Sequence, residues 1–325
     1  MKKIFIIGIS SFSGASIASY LFKKNYKIYG SYSVDRYINK FIYNKKKIKT
    51  FKIDLIKDTR KLINLLKKIK PSIILDHASI CMVQESWQFP KRYYDINVKS
   101  RFDIIAELSN KKFLKKYIYI STPEIFGSSK DKIKEKFSTF NPSTPYAASK
   151  LSAEINFKHA FFSKKFPLII SRFSNFYGPG QPTHRLIPKA LISLKKKIFF
   201  PLHGNGNSKR NFIYTDDFCE GINRIIIKGK PGDVYHFSGD KYVSIKKIIK
   251  IICRLKNVKF NSFVKITQDR TGKDNIYKLS SSFTKKKLDW KCKTGIEKGI
   301  KNTLEFYDKN YKNLSSQPLN YKLWQ

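Results

Sequence analysis

Apolar residues in this chain fall in short dense runs, separated by lysine-rich stretches whose apolar positions recur at helical spacing. An apolar run over Lys3 to Ile7 ends at Gly8, and a helix-like stretch follows from about Gly14 to Phe22. Tyr26 to Tyr32 reads as the next strand. Ile53 with Asp54, and Ile73 to Leu75, fit the ends of two more, with a lysine-rich helix over Thr59 to Lys68 between them. The pattern then predicts a helix near Lys99 to Leu108, a strand over Lys116 to Ser121, a helix opening at Pro145, and a strand over Leu168 to Phe173. Short apolar strands alternating with helices indicate a parallel sheet covered on both faces, so the expected fold class is a doubly wound α/β domain.

After Arg172 the alternation stops. A loop with glycine and proline (Tyr177 to Pro182) leads to a helix around Ile187 to Lys195, and a turn-rich segment follows from Pro201 to Asn211. From Asp233 to Tyr307 short strands and helices mix without clear order, which suits a smaller α+β domain. The expected division is therefore 1–172 with 212–232 as the larger domain, 173–211 with 233–312 as the smaller one, and 313–325 as a polar, loosely ordered tail.

Composition narrows the class. Hydrophobic residues make up 41% of the 325, enough for a sizeable core, and no apolar run is long enough to span a membrane. The four cysteines, Cys81, Cys219, Cys253 and Cys292, form no Cys-x-x-Cys pair. They read as free thiols of a cytoplasmic protein, with no disulfide frame and no metal site. The formal charge of +43 raises the question of a nucleic-acid partner. Lysines outnumber arginines 56 to 10 and are spread along the whole chain, whereas nucleic-acid readers favour the planar arginine fork. The charge is read as compositional, with neither nucleic acid nor membrane as a partner.

Four stretches carry candidate chemistry. Gly8-x-x-Ser11-x-x-Gly14 follows the first strand and opens a helix, with Phe12 in its first turn. Glycines there let backbone N–H groups approach a pyrophosphate at the helix N-terminus, so this turn points to a dinucleotide. The second strand ends without an acid at its tip. Ser33 and Arg36 could therefore take the 2′-phosphate of NADP as readily as the site could take NAD, and Asp54 with Leu55 could hold the adenine. The strand Tyr117 to Ile120 runs into Thr122 and Glu124, at the carboxyl end of a parallel strand where ligands bind. Finally, Thr144 and Pro145 are a helix cap and first helical residue, which puts Tyr146 and Lys150 on one face. An ammonium beside a phenol favours the phenolate, lowering a pKa that starts near ~10. Spacing alone does not single this pair out, because Tyr20/Lys24, Tyr43/Lys47 and Tyr242/Lys246 repeat it.

Taken together with Pro142 to Lys150, Ser121 to Gly127, Arg172 to Gln181, Arg210 to Asp217 and Arg270 to Asp274, the chain resembles the extended short-chain dehydrogenase/reductase family. Within it, it is most similar to the nucleotide-sugar epimerase/dehydratase group and its dTDP-glucose 4,6-dehydratases. The likeness runs from Lys3 to about Tyr307 and implies a Rossmann-type domain, a tightly bound NAD or NADP, and a homodimer built on paired helices. It implies that Thr122 hydrogen-bonds the sugar O4, that Tyr146 takes its proton, and that Lys150 holds the nicotinamide ribose and lowers the Tyr146 pKa. Asn175, Arg185, Arg210 and Arg270 would bind the nucleotide sugar, with the first three on its diphosphate, and Pro201 and Leu202 would line the base pocket.

Glu124 separates the candidate reactions. A 4,6-dehydratase needs a base for the C5 proton and an acid for the 6-hydroxyl, and the dTDP-glucose enzymes carry an Asp-Glu pair there. Here the first member is Pro123, so Glu124 does both jobs or water supplies the acid. GDP-mannose dehydratases and UDP-glucuronate decarboxylases also have the glutamate without the aspartate. The expectation is a 4,6-dehydratase feeding deoxysugar and surface-polysaccharide synthesis. The alternatives are a 4-epimerase, a UDP-glucuronate decarboxylase, or a non-catalytic basic binding protein on a cofactor fold.

Overall fold

The structure is a computed structural model and describes residues 2–35, 48–129, 131–136, 139–269 and 276–321. Arg36, Arg270, the Thr271 to Asp274 stretch and Trp324 lie outside the described residues.

The chain begins β1 (Lys3–Ile7), α1 (Phe12–Phe22), β2 (Lys27–Tyr32), β3 (Lys49–Lys52), α2 (Thr59–Ile69) and β4 (Ile73–Asp76). Next come α3 (Val83–Gln88), α4 (Pro90–Tyr94), a widened π-helical turn (Asp95–Lys99), α5 (Ser100–Leu108) and β5 (Lys116–Ser121). After a two-residue strand β6 (Lys132–Ile133) come the long helix α6 (Pro145–Lys164), β7 (Leu168–Phe173) and β8 (Asn175–Tyr177). The series continues with α7 (Leu186–Lys195), β9 (Phe200–His203), β10 (Lys209–Tyr214), α8 (Thr215–Lys228) and β11 (Val234–Phe237). The remaining strands are β12 (Tyr242–Ser244), β13 (Val264–Thr267) and β14 (Lys278–Leu279), with α9 (Ile245–Leu255) after β12.

Seven strands form one sheet in the order β11-β7-β5-β4-β1-β2-β3, every neighbouring pair parallel. Strand alternation sorts its residues to two faces. Ile4 and Ile6 of β1 join the core under α1 and α8, while Phe5 and Ile7 join the core under α2, α5 and α6. This is the doubly wound α/β layer expected. Its first strand–turn–helix is closed by Ser11, which caps α1 by accepting the Gly14 N–H at 3.0 Å. The long helix α6 starts as expected, with Thr144 as cap, accepting the Ala147 N–H at 3.2 Å, and Pro145 as first residue.

Two expectations are corrected. The expected division places 233–312 wholly in the smaller domain, yet β11 is the edge strand of the large sheet, paired with β7 from Val234↔Ile170 to Phe237↔Phe173. Trp290 and Leu288 also return to the large core. A four-residue strand after a Lys-Pro-Gly turn carries too little periodicity to be assigned to one sheet over another. The smaller unit is a separate apolar cluster joining α7, α9, β9 and the Ile296–Lys309 helix. The tail from 313 is also not loose over its described part. Leu314 is fully buried, Thr183 donates to the Pro318 carbonyl at 2.7 Å, and Tyr321 packs edge-on against His184.

The sheet centre holds a buried ion pair. Arg101 of α5 grips both carboxylate oxygens of Asp76, at 3.0 and 2.7 Å, and Tyr117 of β5 donates to the same carboxylate at 2.8 Å. The guanidinium also donates to the carbonyls of Ala78 and Ile96. It thereby ties the loop after β4 to the π-helical turn. Removing one partner of such a pair leaves a buried charge uncompensated, which destabilises by about 3–5 kcal/mol. Arg101→Met is therefore expected to lose about that much in urea denaturation, and adding Asp76→Asn should restore more than half of the loss. A double variant no more stable than the single one would refute this account.

Candidate active site

The Gly8–Gly14 turn is shaped for close approach. Gly8 has φ +82°, and a side-chain carbon there would lie 2.8 Å from the Ala78 nitrogen. One at Gly14 would come within 2.3 Å of the Gly8 carbonyl oxygen. Ser11, in the place of a third glycine, ties the turn by donating to the Gly8 carbonyl at 2.7 Å while it caps α1. The bare backbone and the helix N-terminus fit the diphosphate of a dinucleotide. Phe12 stacks on Phe176 at 4.9 Å, and Phe176 packs in turn on Phe218 of the large core. Ser33, at the end of β2, is exposed, and Asp54 is engaged in its own loop, accepting the Ile56 N–H at 2.7 Å. Leu55 packs at the edge of the α2-side core.

The candidate catalytic residues assemble at the end of β5 against the first turns of α6. Thr122 caps a 3-10 turn (Pro123–Phe126), accepting the Glu124 N–H at 3.3 Å, and this turn presents Glu124 beside Tyr146. Pro123 is buried as the first residue of that turn. Lys150 is buried one helical turn beyond Tyr146, where its Nζ donates to the Ile120 carbonyl at 2.8 Å and sits 4.1 Å from the centre of the Tyr119 ring. Asn97, in the π-helical turn, holds the arrangement from below. Its side chain bridges Ser149 of α6 at 3.0 Å and both backbone groups of Ile80.

The expected electrostatic relation between Tyr146 and Lys150 is not what the structure has. Burial raises the Tyr146 pKa well above its ordinary value, and Glu124 and Cys81 add to this, while a hydrogen bond with Thr122 works against it. Lys150 is itself pushed down to about 7, by burial first and then by the Arg101 charge, against the pull of Asp76 and Glu154. The lysine is turned onto the Ile120 carbonyl and the Tyr119 ring, so it does not offset the desolvation of the phenol.

The substrate-side residues divide. Asn175 and Arg210 meet at Tyr277, which donates to the Asn175 side chain at 2.9 Å and lies under the Arg210 guanidinium at 5.1 Å. Arg185 is elsewhere. It precedes α7, and its Nη2 lies 2.9 Å from Cys81 Sγ, in the electrostatic field of Tyr146 and Glu124. Leu202 is a core residue packed against Gly206, so the base-pocket assignment does not hold for its side chain, whereas Pro201 is half-buried. Sequence reasoning missed Cys81, Asn97 and Tyr277. None had a distinguishing local signal, since Asn97 sits among Asp95, Lys99 and Ser100.

The Lys150 shift has a sign that can be measured. The folded-state pKa lies below the unfolded value near 10.5, so between about 7 and 10.5 the unfolded chain binds the extra proton. Burial of Lys150 thus weighs against folding fully below pH 7, and the penalty fades as pH rises toward 10.5. Lys150→Met should raise the unfolding midpoint at pH 6, with the gain shrinking by pH 10. An equal gain at both pH values would show that the ammonium is not the cause.

Comparison with known proteins agrees with this geometry. The family described as GDP-mannose 4,6 dehydratase matches residues 5–303. The chain is 32% identical over 258 residues to the dTDP-D-glucose 4,6-dehydratase of Mus musculus, covering 78% of this chain and 72% of that one. The structure of dTDP-glucose 4,6-dehydratase from Bacillus anthracis, solved in complex with NAD, superposes with a TM-score of 0.86 at 24% identity, covering 96% and 98% of the two chains. UDP-glucose 4-epimerase from Thermotoga maritima superposes at 0.87 with 19% identity, covering 95% and 99%. At those identities the two structures establish the fold, and the family match with the mouse relative establishes the lineage. The chain belongs to the GDP-mannose 4,6-dehydratase family, within the epimerase/dehydratase group of extended short-chain dehydrogenases/reductases.

Proposed function

We propose that the chain is an NAD(P)-dependent nucleotide-sugar 4,6-dehydratase. The observation that carries this is Glu124 beside Tyr146, a second proton-transfer group that a simple 4-epimerase does not need. Gly8, Ser11, Phe12 and Gly14 would hold the dinucleotide diphosphate, with Lys150 at the nicotinamide ribose. When bound, the nicotinamide accepts hydride from the sugar C4 and returns it to C6.

The protein's own groups move protons. Thr122 hydrogen-bonds O4, and Tyr146 takes the O4 proton as C4 becomes a ketone. Glu124 then takes the C5 proton, now acidified by the ketone, and delivers it to the 6-hydroxyl, which leaves as water. After hydride reaches C6, C5 is reprotonated, and the proton lost from O4 balances that gain. The products are a 4-keto-6-deoxy sugar nucleotide and water, with no net change in the cofactor. Buried Pro123 can transfer no proton, so Glu124 serves both steps in turn.

A cytoplasmic setting is in keeping with four free thiols, and no helix among the described residues is long and apolar enough to cross a membrane. No role in nucleic-acid binding is proposed for the +43 charge. The exposed face of α5 and α6 supports the paired-helix homodimer. Phe102 is 51% exposed, and Ile155 and Phe162, seven residues apart on α6, are 42% and 78% exposed.

Incubation with a panel of nucleotide hexoses should yield, from at least one, a product lighter by one water. Glu124→Gln should cut that turnover by roughly 100-fold or more while sparing hydride removal, seen as transient absorbance of the reduced cofactor. If every hexose is returned intact or only epimerised, the dehydratase reading fails. Separately, Phe162→Asp should convert a dimer to a monomer in light scattering, and a wild-type monomer would remove the dimer proposal.

A further inference from the structure

His77 is the only described side chain with two buried polar atoms lacking a hydrogen-bonding partner, its Nδ1 and its Nε2. Buried polar groups in proteins are almost always paired, and each exception calls for an explanation. His77 is also in an informative place. It is the first residue beyond β4, and its N–H donates at 2.9 Å to the carbonyl of Ile7, the residue before Gly8. The next residue, Ala78, is the one a side chain at Gly8 would strike. His77 and Ala78 therefore form the floor of the glycine turn.

The ring has apolar support on one flank. It packs edge-on against Phe218 at 6.1 Å, Phe218 stacks on Phe176 at 4.4 Å, and Phe176 stacks on Phe12 in the first turn of α1. Lys150 lies within electrostatic range of the imidazole. His77 thus adjoins the turn that suits a diphosphate, and its ring lies within the field of the lysine proposed for the nicotinamide ribose. A phenylalanine or leucine would satisfy every contact that the structure gives this side chain.

We propose that His77 is a cofactor-holding residue, its imidazole hydrogen-bonding an oxygen of the dinucleotide between the Gly8–Gly14 turn and Lys150. The assignment rests on the cofactor reading above. Burial pushes the imidazole down to about 3, with Lys150 adding to this and Asp76 opposing it, so the ring is neutral at working pH. A neutral imidazole keeps one N–H to donate and one nitrogen to accept, which suits a ribose hydroxyl or a phosphate oxygen without adding charge.

The test is binding of NAD+ and NADP+ to purified protein stripped of nucleotide, followed by protein fluorescence. His77→Phe keeps the ring packing and removes the hydrogen bond. Its affinity for whichever dinucleotide the wild type binds should fall roughly 10-fold, with the cofactor-free protein no less stable. His77→Gln, with a donor and an acceptor of its own, should fall less. In wild-type protein, nitrogen NMR of the five histidines should show two imidazoles held neutral by burial, His77 and His236, and the one missing from the His77→Phe spectrum should shift when dinucleotide is added. Unchanged affinity in both variants, or a resonance unmoved by cofactor, overturns the proposal even if the phenylalanine variant folds poorly. A wild-type protein that binds neither dinucleotide overturns the cofactor reading itself, and His77 with it.

Discussion

The candidate site is built around a lysine that burial works against. Lys150 carries its ammonium into the seam between α6 and β5, where water cannot reach it, and the chain supplies a backbone carbonyl and an aromatic face instead. Nearby, Asp76 and Arg101 are locked together so fully that the pair adds almost no net charge, yet the arginine still bears on Lys150. The cap at Thr144 sets where α6 begins, and so where along the seam Tyr146 and Lys150 fall. Shifting that start by one residue would rotate both side chains about 100° away from the ligand crevice.

Much of this was legible in the sequence, for physical reasons. The inner strands β1, β4, β5 and β7 are largely buried, so they read as apolar runs, and caps such as Thr144-Pro145 act within a few residues. The four side chains proposed as catalytic fall on two elements with local signatures, the end of β5 and the start of α6. Of the look-alike pairs, Tyr20 instead hydrogen-bonds Glu220 on the outer face of the fold, which no local pattern could reveal.

What escaped was set by contacts distant in sequence. Arg185 is held by Cys81, 104 residues earlier, and the pairing of β11 with β7 joins segments some 64 residues apart. The direction of the Tyr146 shift also escaped. A lysine four residues along a helix favours the phenolate only if it faces it, and here desolvation is larger than any help that spacing alone could promise. Burial cannot be read from a pair of residues; it is a property of everything packed around them.

The docked C-terminal stretch has a consequence for how the site is held open. Pro318 and Asn320 bond Thr183 and Lys189, on either side of Arg185, and Tyr321 rests on His184. The last described residues therefore act as a splint on the segment that carries Arg185, which lies in the field of Tyr146 and Glu124. The Arg185 segment and residues 318–321 share a single piece of scaffolding, so loosening one slackens the other.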